Sequence, residues 1–199
     1  TQAQSRIKML AKMQPVTSMV TDDVRPIHIP APDKLLSPPI IATDNVSVGY
    51  EPGRPILSGL SLRIENDDRI ALLGSNGNGK STLVKLLAGK LAPEHGTVTR
   101  AATLKVGYFA QHQVDELDMD GSPYDHVRRL MPDQPEAKVR GRVGTIGFSQ
   151  AAANTKVSSL SGGEKARLLL GLATFVAPHL IILDEPTNHL DIDSRGALI

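Results

Sequence analysis

An eight-residue stretch, GSNGNGKS at positions 74–81, constrains the fold of this chain more than any other feature. It matches the pattern G-x-x-x-x-G-K-[ST] and stands between an apolar run, RIALL at 69–73, and a helix-type run, STLVKLLAG at 81–89. The order predicts a parallel strand covered on both faces, then a glycine loop, then a helix that closes at Gly89.

The composition of this loop suits a phosphate group. Gly74, Gly77 and Gly79 let the backbone curl so that successive N–H groups face one anion, and the helix dipole adds favourable potential there. Lys80 can reach β and γ phosphate oxygens, and the Ser81 hydroxyl can take a place on Mg²⁺. A glycine-rich turn with a chance Lys-Ser is the alternative, which the flanking strand and helix disfavour. The candidate phosphate-binding residues are Gly74, Ser75, Asn76, Gly77, Asn78, Gly79, Lys80, Ser81 and Thr82.

A second apolar strand, LIILD at 180–184, ends in acidic residues, and Pro186 is expected to stop it. Asp184 falls at the carboxyl end of the strand, where open α/β sheets present ligand-facing groups. We expect Asp184 to hold Mg²⁺ through water, and Glu185 to orient or deprotonate an attacking water. An acidic pair that merely begins a polar loop is the alternative, which the phosphate loop disfavours.

The stretch LSGGEKARLLL, 160–170, predicts a helix with two glycines in its first turn. Ser161 and Glu164 have the spacing of a capping box, so Gly162 and Gly163 are expected in an exposed first turn. A helix start with bare backbone is an anion site, and the sequence therefore predicts a second one.

The remaining patterns place these motifs in a mixed fold. Alternation and β-branching predict strands in 40–50, 55–66, 96–100 and 103–111. Ser122 and Pro123 predict the start of a helix that ends near residue 131, and 136–157 reads as helix broken by three glycines. Residues 1–14 resemble the end of a basic amphipathic helix, and prolines make 15–39 an extended linker.

Composition excludes several classes of protein. The net charge of +1 and pI of about 8.0 give no general electrostatic case for nucleic acid. The chain has no cysteine, which fits a reducing compartment, and neither a signal peptide nor a membrane span is visible. Because it starts without Met and ends in mid-pattern, we expect a piece of a longer protein.

The three motifs in this order resemble an ATP-binding-cassette nucleotide-binding domain over residues 40–199: Walker A GSNGNGKS, signature LSGGE and Walker B LIILDE. The resemblance implies an α/β P-loop NTPase fold with a RecA-like parallel core, an antiparallel β subdomain and a helical signature subdomain. It implies ATP and Mg²⁺ as cofactors. It also implies that Tyr50 stacks on adenine, although an ordinary strand tyrosine is the alternative, and that Gln111 contacts Mg²⁺ and couples the site to the helical subdomain.

In this family two cassettes close head to tail around ATP, so the resemblance implies a second cassette as partner, in the same polypeptide or a dimer. Ser161, Gly162, Gly163 and Glu164 would face the ATP held by the partner, and Asp191 in the D-loop would cross to it.

Variant motifs narrow the resemblance to the ABC-F group. Glu164 replaces the Gln of LSGGQ, and Asn188 and His189 replace the SALD-type D-loop of transporter cassettes. ABC-F cassettes are tandem, free of membrane spans and ribosome-associated, so the resemblance implies the second cassette of a cytoplasmic protein that contacts ribosome or tRNA. Two alternatives stay open: a transporter ATPase with a coupling groove around 112–150, and a module that binds ATP without cleaving it.

The resemblance also implies a part that this sequence does not contain. The family carries an H-switch histidine on the strand after the D-loop, and that strand lies between the Walker A and Walker B strands. We therefore expect the C-terminal part of the core to be missing, with a gap in the sheet and unpaired strand edges. We further expect this 199-residue chain to bind nucleotide weakly and not to turn it over.

Overall fold

The computed structural model describes residues 28–110 and 117–184. Four predictions lie outside the described residues: the N-terminal helix end, Gln111, Glu185 and the D-loop with Asp191. Residues 28–40 form neither helix nor strand.

An antiparallel sheet of three strands forms one part of the molecule. Its strands are β1 (Ile41–Val48), β2 (Leu57–Ile64) and β3 (His95–Arg100), in the spatial order β2-β1-β3. The alternation predicted for β1 holds in two parts: Ile41 and Thr43 are buried, and beyond a register shift between Thr43 and Val46 the buried residues are Val46 and Val48. This sheet is the expected antiparallel subdomain.

A parallel pair of strands forms the second sheet, and one helix connects the two. The strands are β4 (Val106–Ala110) and β5 (Leu180–Asp184), with Ala110 opposite Asp184. The helix α1 (Lys80–Leu87) buries Val84 and Leu87 in a cluster with Ile182 of β5 and Ile41 of β1. The helix that follows the glycine loop is thereby held against both sheets.

Three further helices form the expected helical subdomain. They are α2 (Pro123–Leu130), α3 (Glu136–Ile146) and α4 (Gly162–Ala173), and α4 also packs on β4. Of the three glycines predicted to break the helix over 136–157, only Gly147 does so, because α3 runs unbroken through Gly141 and Gly144. Gly147, whose φ is 107°, caps the end of α3, and short 3₁₀ turns follow at Ala152–Asn154 and Val157–Ser159. No helix within residues 28–110 and 117–184 has the length and apolar character needed to cross a membrane.

The predicted start of α2 is confirmed in detail. Ser122 is the N-cap, Pro123 is the first helical residue, and Asp125 completes a capping box. The Ser122 hydroxyl donates to Asp125 Oδ2 at 2.6 Å, and this hydrogen bond lowers the pKa of the Asp125 carboxyl. Local sequence alone decides such a helix start, because all the partners lie within four residues.

The strand predicted at 69–73 is wrong. These residues have no regular secondary structure, and Ile70 and Leu73 are 60% and 92% exposed. An apolar run becomes a strand only when a neighbouring strand accepts its hydrogen bonds, and within 28–110 and 117–184 no strand lies beside this run. The apolar composition of residues 69–73 was therefore not sufficient to predict a strand.

A gap of the expected kind lies between residues 69–72 and β5. It is a cavity of about 700 Å³, and in the described part of the chain β5 pairs only with β4. Apolar side chains of α1 form its floor, and the main lining residues are Ile64, Ile70, Leu72, Val84, Leu87 and Ile182. The cavity therefore reaches from the interior of the sheet to the end of the glycine loop at Lys80.

Candidate nucleotide-binding site

The glycine loop has the backbone conformation that its sequence predicted. Gly74, Gly77 and Gly79 have φ angles of 155°, 85° and 79°, a range that residues with a side chain rarely adopt. At Gly79 a Cβ atom would also lie 2.7 Å from Leu57 Cδ2, so the Leu57 side chain would have to shift to make room for it. The loop therefore depends on glycine for conformation, and at Gly79 for its close approach to β2.

The loop leads into a helix start without a side-chain cap. Gly79 occupies the N-cap position of α1, so no side chain covers the first backbone N–H groups. Lys80 folds back over the loop, and its Nζ donates to the carbonyl oxygens of Gly74 at 2.8 Å and Ser75 at 2.9 Å. Backbone donors and one ammonium group thus converge, which is the donor set that a phosphate requires.

The structure brings the Walker A and Walker B motifs to the same cavity. Lys80 and Asp184 both line it, from the start of α1 and the carboxyl end of β5. Ser81 is exposed beside Lys80, whereas Thr82 is buried. The Ser81 hydroxyl and the Asp184 carboxylate are oxygen ligands, the type that Mg²⁺ prefers.

A magnesium ion at this site would need ligands besides these side chains. The described ranges contain no group of three or more His, Cys, Asp or Glu residues able to hold a metal. Mg²⁺ commonly completes its octahedral shell with phosphate oxygens and water, using one or two protein carboxylates. The residues present therefore fit Mg²⁺ bound together with a nucleotide.

Tyr50 lies beside the Walker A helix, just after the end of β1. Tyr50 is 54% exposed, and Lys85 Nζ lies at the hydroxyl end of the ring, 5.1 Å from the ring centroid. The same ammonium donates to the Tyr50 hydroxyl at 3.3 Å. An exposed ring next to α1 can take a stacking partner, as the resemblance implies for this residue.

The signature helix α4 starts with the predicted capping box. The Ser161 N–H donates to Glu164 Oε2 at 2.8 Å, and the Glu164 N–H donates to Ser161 Oγ at 3.2 Å. The expectation that both glycines lie exposed is wrong for Gly163, which is buried, while Gly162 is exposed. Gly163 shares a helix face with the buried Ala166 and Leu170, and that face packs inward.

The two predicted anion sites do not meet within the described chain. None of residues 161–164 is among those that line the cavity at Lys80 and Asp184. Instead, α4 packs on β4, α2 and α3. A nucleotide held at the Walker A loop would therefore not be contacted by the signature residues of the same fold unit.

Sequence reasoning missed two residues, one that contacts Tyr50 and one that holds the turn after it. These are Lys85, and Glu94, whose Oε2 accepts from the Gly53 N–H at 3.3 Å. Both contacts join positions more than thirty residues apart, Lys85 to Tyr50 and Glu94 to Gly53. No local pattern could have shown them.

Comparison with known proteins places these features in a family. A family model described as ABC transporter matches residues 57–188. The probable ATP-binding protein YheS of Escherichia coli K12 is 47% identical over 197 residues, which cover 99% of this chain and 31% of that protein. ABC transporter F family member 3 of Arabidopsis thaliana is 44% identical over 98% of this chain and 27% of its own length. The chain thus spans less than a third of these relatives.

Solved structures share the fold at lower sequence identity. The dimeric post-hydrolysis structure of the ATP-binding cassette MJ0796 bound to ADP and Pi has a TM-score of 0.67, 22% identity and 79% coverage of both chains. A bacterial Atm1-family ABC exporter with ATP bound has a TM-score of 0.65 and 24% identity, with 84% of this chain and 33% of that chain covered. The family model, the relatives and the fold agree: the chain belongs to the ATP-binding-cassette (ABC) ATPase family and is a cassette of the ABC-F type.

Proposed function

We propose that this cassette binds ATP with Mg²⁺ and hydrolyses it to ADP and phosphate when it closes on a second cassette. The observation that carries the proposal is the cavity at which the uncapped start of α1, Lys80 and Asp184 come together. A phosphate-binding loop and a carboxylate at one cavity are the parts that phosphoryl transfer requires.

Each candidate residue has a distinct role in this proposal. The N–H groups of 74–82 and the Lys80 ammonium hold the phosphates, and Tyr50 stacks on the base. Ser81, Gln111 and Asp184 hold Mg²⁺, which when bound offsets the negative charge on the phosphates. Glu185 directly follows Asp184, and we assign it the role of general base that takes the proton from the attacking water.

The second anion site, at residues 161–164, makes closure of the two cassettes depend on ATP in this proposal. Ser161, Gly162, Gly163 and Glu164 contact the ATP held by the partner cassette, and Asp191 crosses the same interface. Their position away from the cavity supports this role, because a partner must supply the nucleotide. ATP then favours the closed pair through contacts to its γ phosphate from both sides, and hydrolysis removes them.

The ABC-F type of the cassette supports action on the ribosome during translation. This part of the proposal, with the cytoplasmic location, the tandem arrangement and the contact with tRNA, rests on the resemblance and on relatives named as F family members. A transporter ATPase is the second candidate, favoured by the fold likeness to an ABC exporter.

One variant tests the catalytic assignment and separates these candidates. Glu185→Gln in the complete protein should lower ATP turnover by about 100-fold or more, since a general base contributes roughly 10²–10⁴ to the rate. The ATP-bound closed form should then accumulate and sediment with ribosomes in sucrose gradients. Sedimentation with membranes would favour the transporter, and unchanged turnover would show that Glu185 is not the base.

We also propose that the 199-residue chain alone binds ATP weakly and does not turn it over. The physical reason is the run at 69–73, which holds the start of the glycine loop without strand hydrogen bonds. In a phosphate-release assay its rate should stay near background in the absence of partner protein. A rate equal to that of the complete protein would overturn this proposal.

A further inference from the structure

We propose that Lys85 is a positioning residue for the nucleotide base and acts through Tyr50; this inference rests on the proposed function. Lys85 Nζ lies 5.1 Å from the centroid of the Tyr50 ring and 3.3 Å from its hydroxyl. The two distances together place the ammonium beyond the hydroxyl oxygen and outside the ring edge, so the contact is a hydrogen bond to the hydroxyl, and it restricts the orientation of an otherwise exposed side chain.

The backbone that carries Tyr50 is itself firmly held. Gly49 has no room for a side chain, because a Cβ atom there would lie 2.6 Å from the Arg54 carbonyl oxygen. The following turn is closed by a β-bridge between Glu51 and Arg54, and Glu94 Oε2 accepts from the Gly53 N–H at 3.3 Å. With the backbone fixed, the Tyr50 ring has its side-chain torsions as its main freedom, and Lys85 restricts these.

The turn runs alongside α1 from the phosphate loop to Lys85. At one end Ile56 approaches Gly79, where a Cβ atom would meet Ile56 Cγ2 at 3.1 Å, and at the other end Tyr50 contacts Lys85. Gly79 and Lys85 are separated by about 9 Å of helix length at 1.5 Å per residue. A phosphate at the loop and an aromatic base at Tyr50 can therefore belong to one molecule.

The chemistry of the contact explains why Lys85 would favour base stacking. An ammonium group held at the hydroxyl leaves both faces of the ring open to a planar base, and a ring that is already oriented loses less rotational freedom when that base binds. Arginine can make the same contact, whereas methionine keeps the length of the side chain without the charge.

A purely structural role for Lys85 gives a different expectation. A cation in the last turn of α1 also interacts favourably with the helix dipole. Loss of that interaction would lower stability, but it would not distinguish a ligand that has a base from one that lacks it.

The test compares two ligands by isothermal titration calorimetry on the 199-residue chain: ATP, and inorganic triphosphate as a probe without a base. Lys85→Met should weaken ATP binding by about three- to fivefold, the size of one net hydrogen bond, and leave triphosphate affinity unchanged. Lys85→Arg should restore ATP affinity. The control is Lys90→Met, which removes an ammonium 4.3 Å from the Tyr108 ring just beyond α1 and should affect neither ligand.

Each other result has a defined meaning. Equal weakening of both ligands, or of neither, would overturn the role of Lys85 while leaving the proposed function intact. Failure of the unmodified chain to bind either ligand would overturn the weak binding proposed for the chain alone, and with it the role of Lys85, whereas the Glu185→Gln experiment in the complete protein tests the proposed function separately. If Lys85→Met does not fold by circular dichroism, Tyr50→Phe replaces it, since it removes the hydroxyl acceptor and should weaken ATP selectively by a similar factor.

Discussion

Replacing Lys80 by alanine is expected to weaken ATP binding by about 10- to 100-fold. A hydrogen bond to a charged group contributes about 1.5–3 kcal/mol, and each 1.4 kcal/mol corresponds to about a factor of ten. Lys80 is the charged side chain that folds over the glycine loop, with its Nζ 2.8 Å and 2.9 Å from two loop carbonyl oxygens. Fluorescence titration with a labelled ATP analogue measures the change directly.

Lys90→Ala is the matched control for this prediction. It removes the same charge near the other end of α1, and Lys90 does not line the cavity at Asp184. Its ATP affinity should equal that of the unmodified chain. If Lys80→Ala also retained that affinity while remaining folded, the loop at 74–81 would not be the phosphate site.

Gly79→Ala is expected to destabilise the chain by about 2–4 kcal/mol. Placing a residue with a side chain in the left-handed region costs about 1–2 kcal/mol, and overpacking adds about 1–3 kcal/mol. Gly79 meets both conditions, with a φ of 79° and a hypothetical Cβ 2.7 Å from Leu57 Cδ2. Urea unfolding followed by circular dichroism measures the loss.

Gly77→Ala separates the two contributions. Gly77 has a φ of 85°, but nothing lies within 4 Å of its hypothetical Cβ, so only backbone strain should appear, about 1–2 kcal/mol. Introducing Leu57→Ala should bring the cost of Gly79→Ala close to that value by removing the contact. If Gly79→Ala costs no more stability than Gly77→Ala while Leu57 is unchanged, packing against β2 is unimportant.

The helix starts show where sequence was sufficient. The capping box at Ser161–Glu164 and the helix start at Ser122 and Pro123 were predicted from local sequence, and both are present. A capping box is built within four consecutive residues, so distant parts of the chain have little influence on it. The left-handed glycines of the Walker A loop are predictable for the same reason.

The run at 69–73 shows where sequence was insufficient. Its apolar residues have the composition of a buried strand, yet Leu73 is 92% exposed and the run forms no strand. Burial and hydrogen bonding of a strand depend on its neighbours in the sheet, which lie far away in sequence. The burial of Gly163 likewise follows from the packing of α4 and not from its position in a first turn.

The sequence by itself determined the phosphate loop, the acidic end of β5, the two capped helices and the family, because motif chemistry and helix starts depend on residues close together in the chain. Only the tertiary structure decided that Lys80 and Asp184 line the same cavity, that Lys85 contacts the Tyr50 hydroxyl, and that residues 161–164 do not line that cavity. These are contacts between segments brought together by sheet pairing and helix packing, and no pattern in one segment specifies its distance to another.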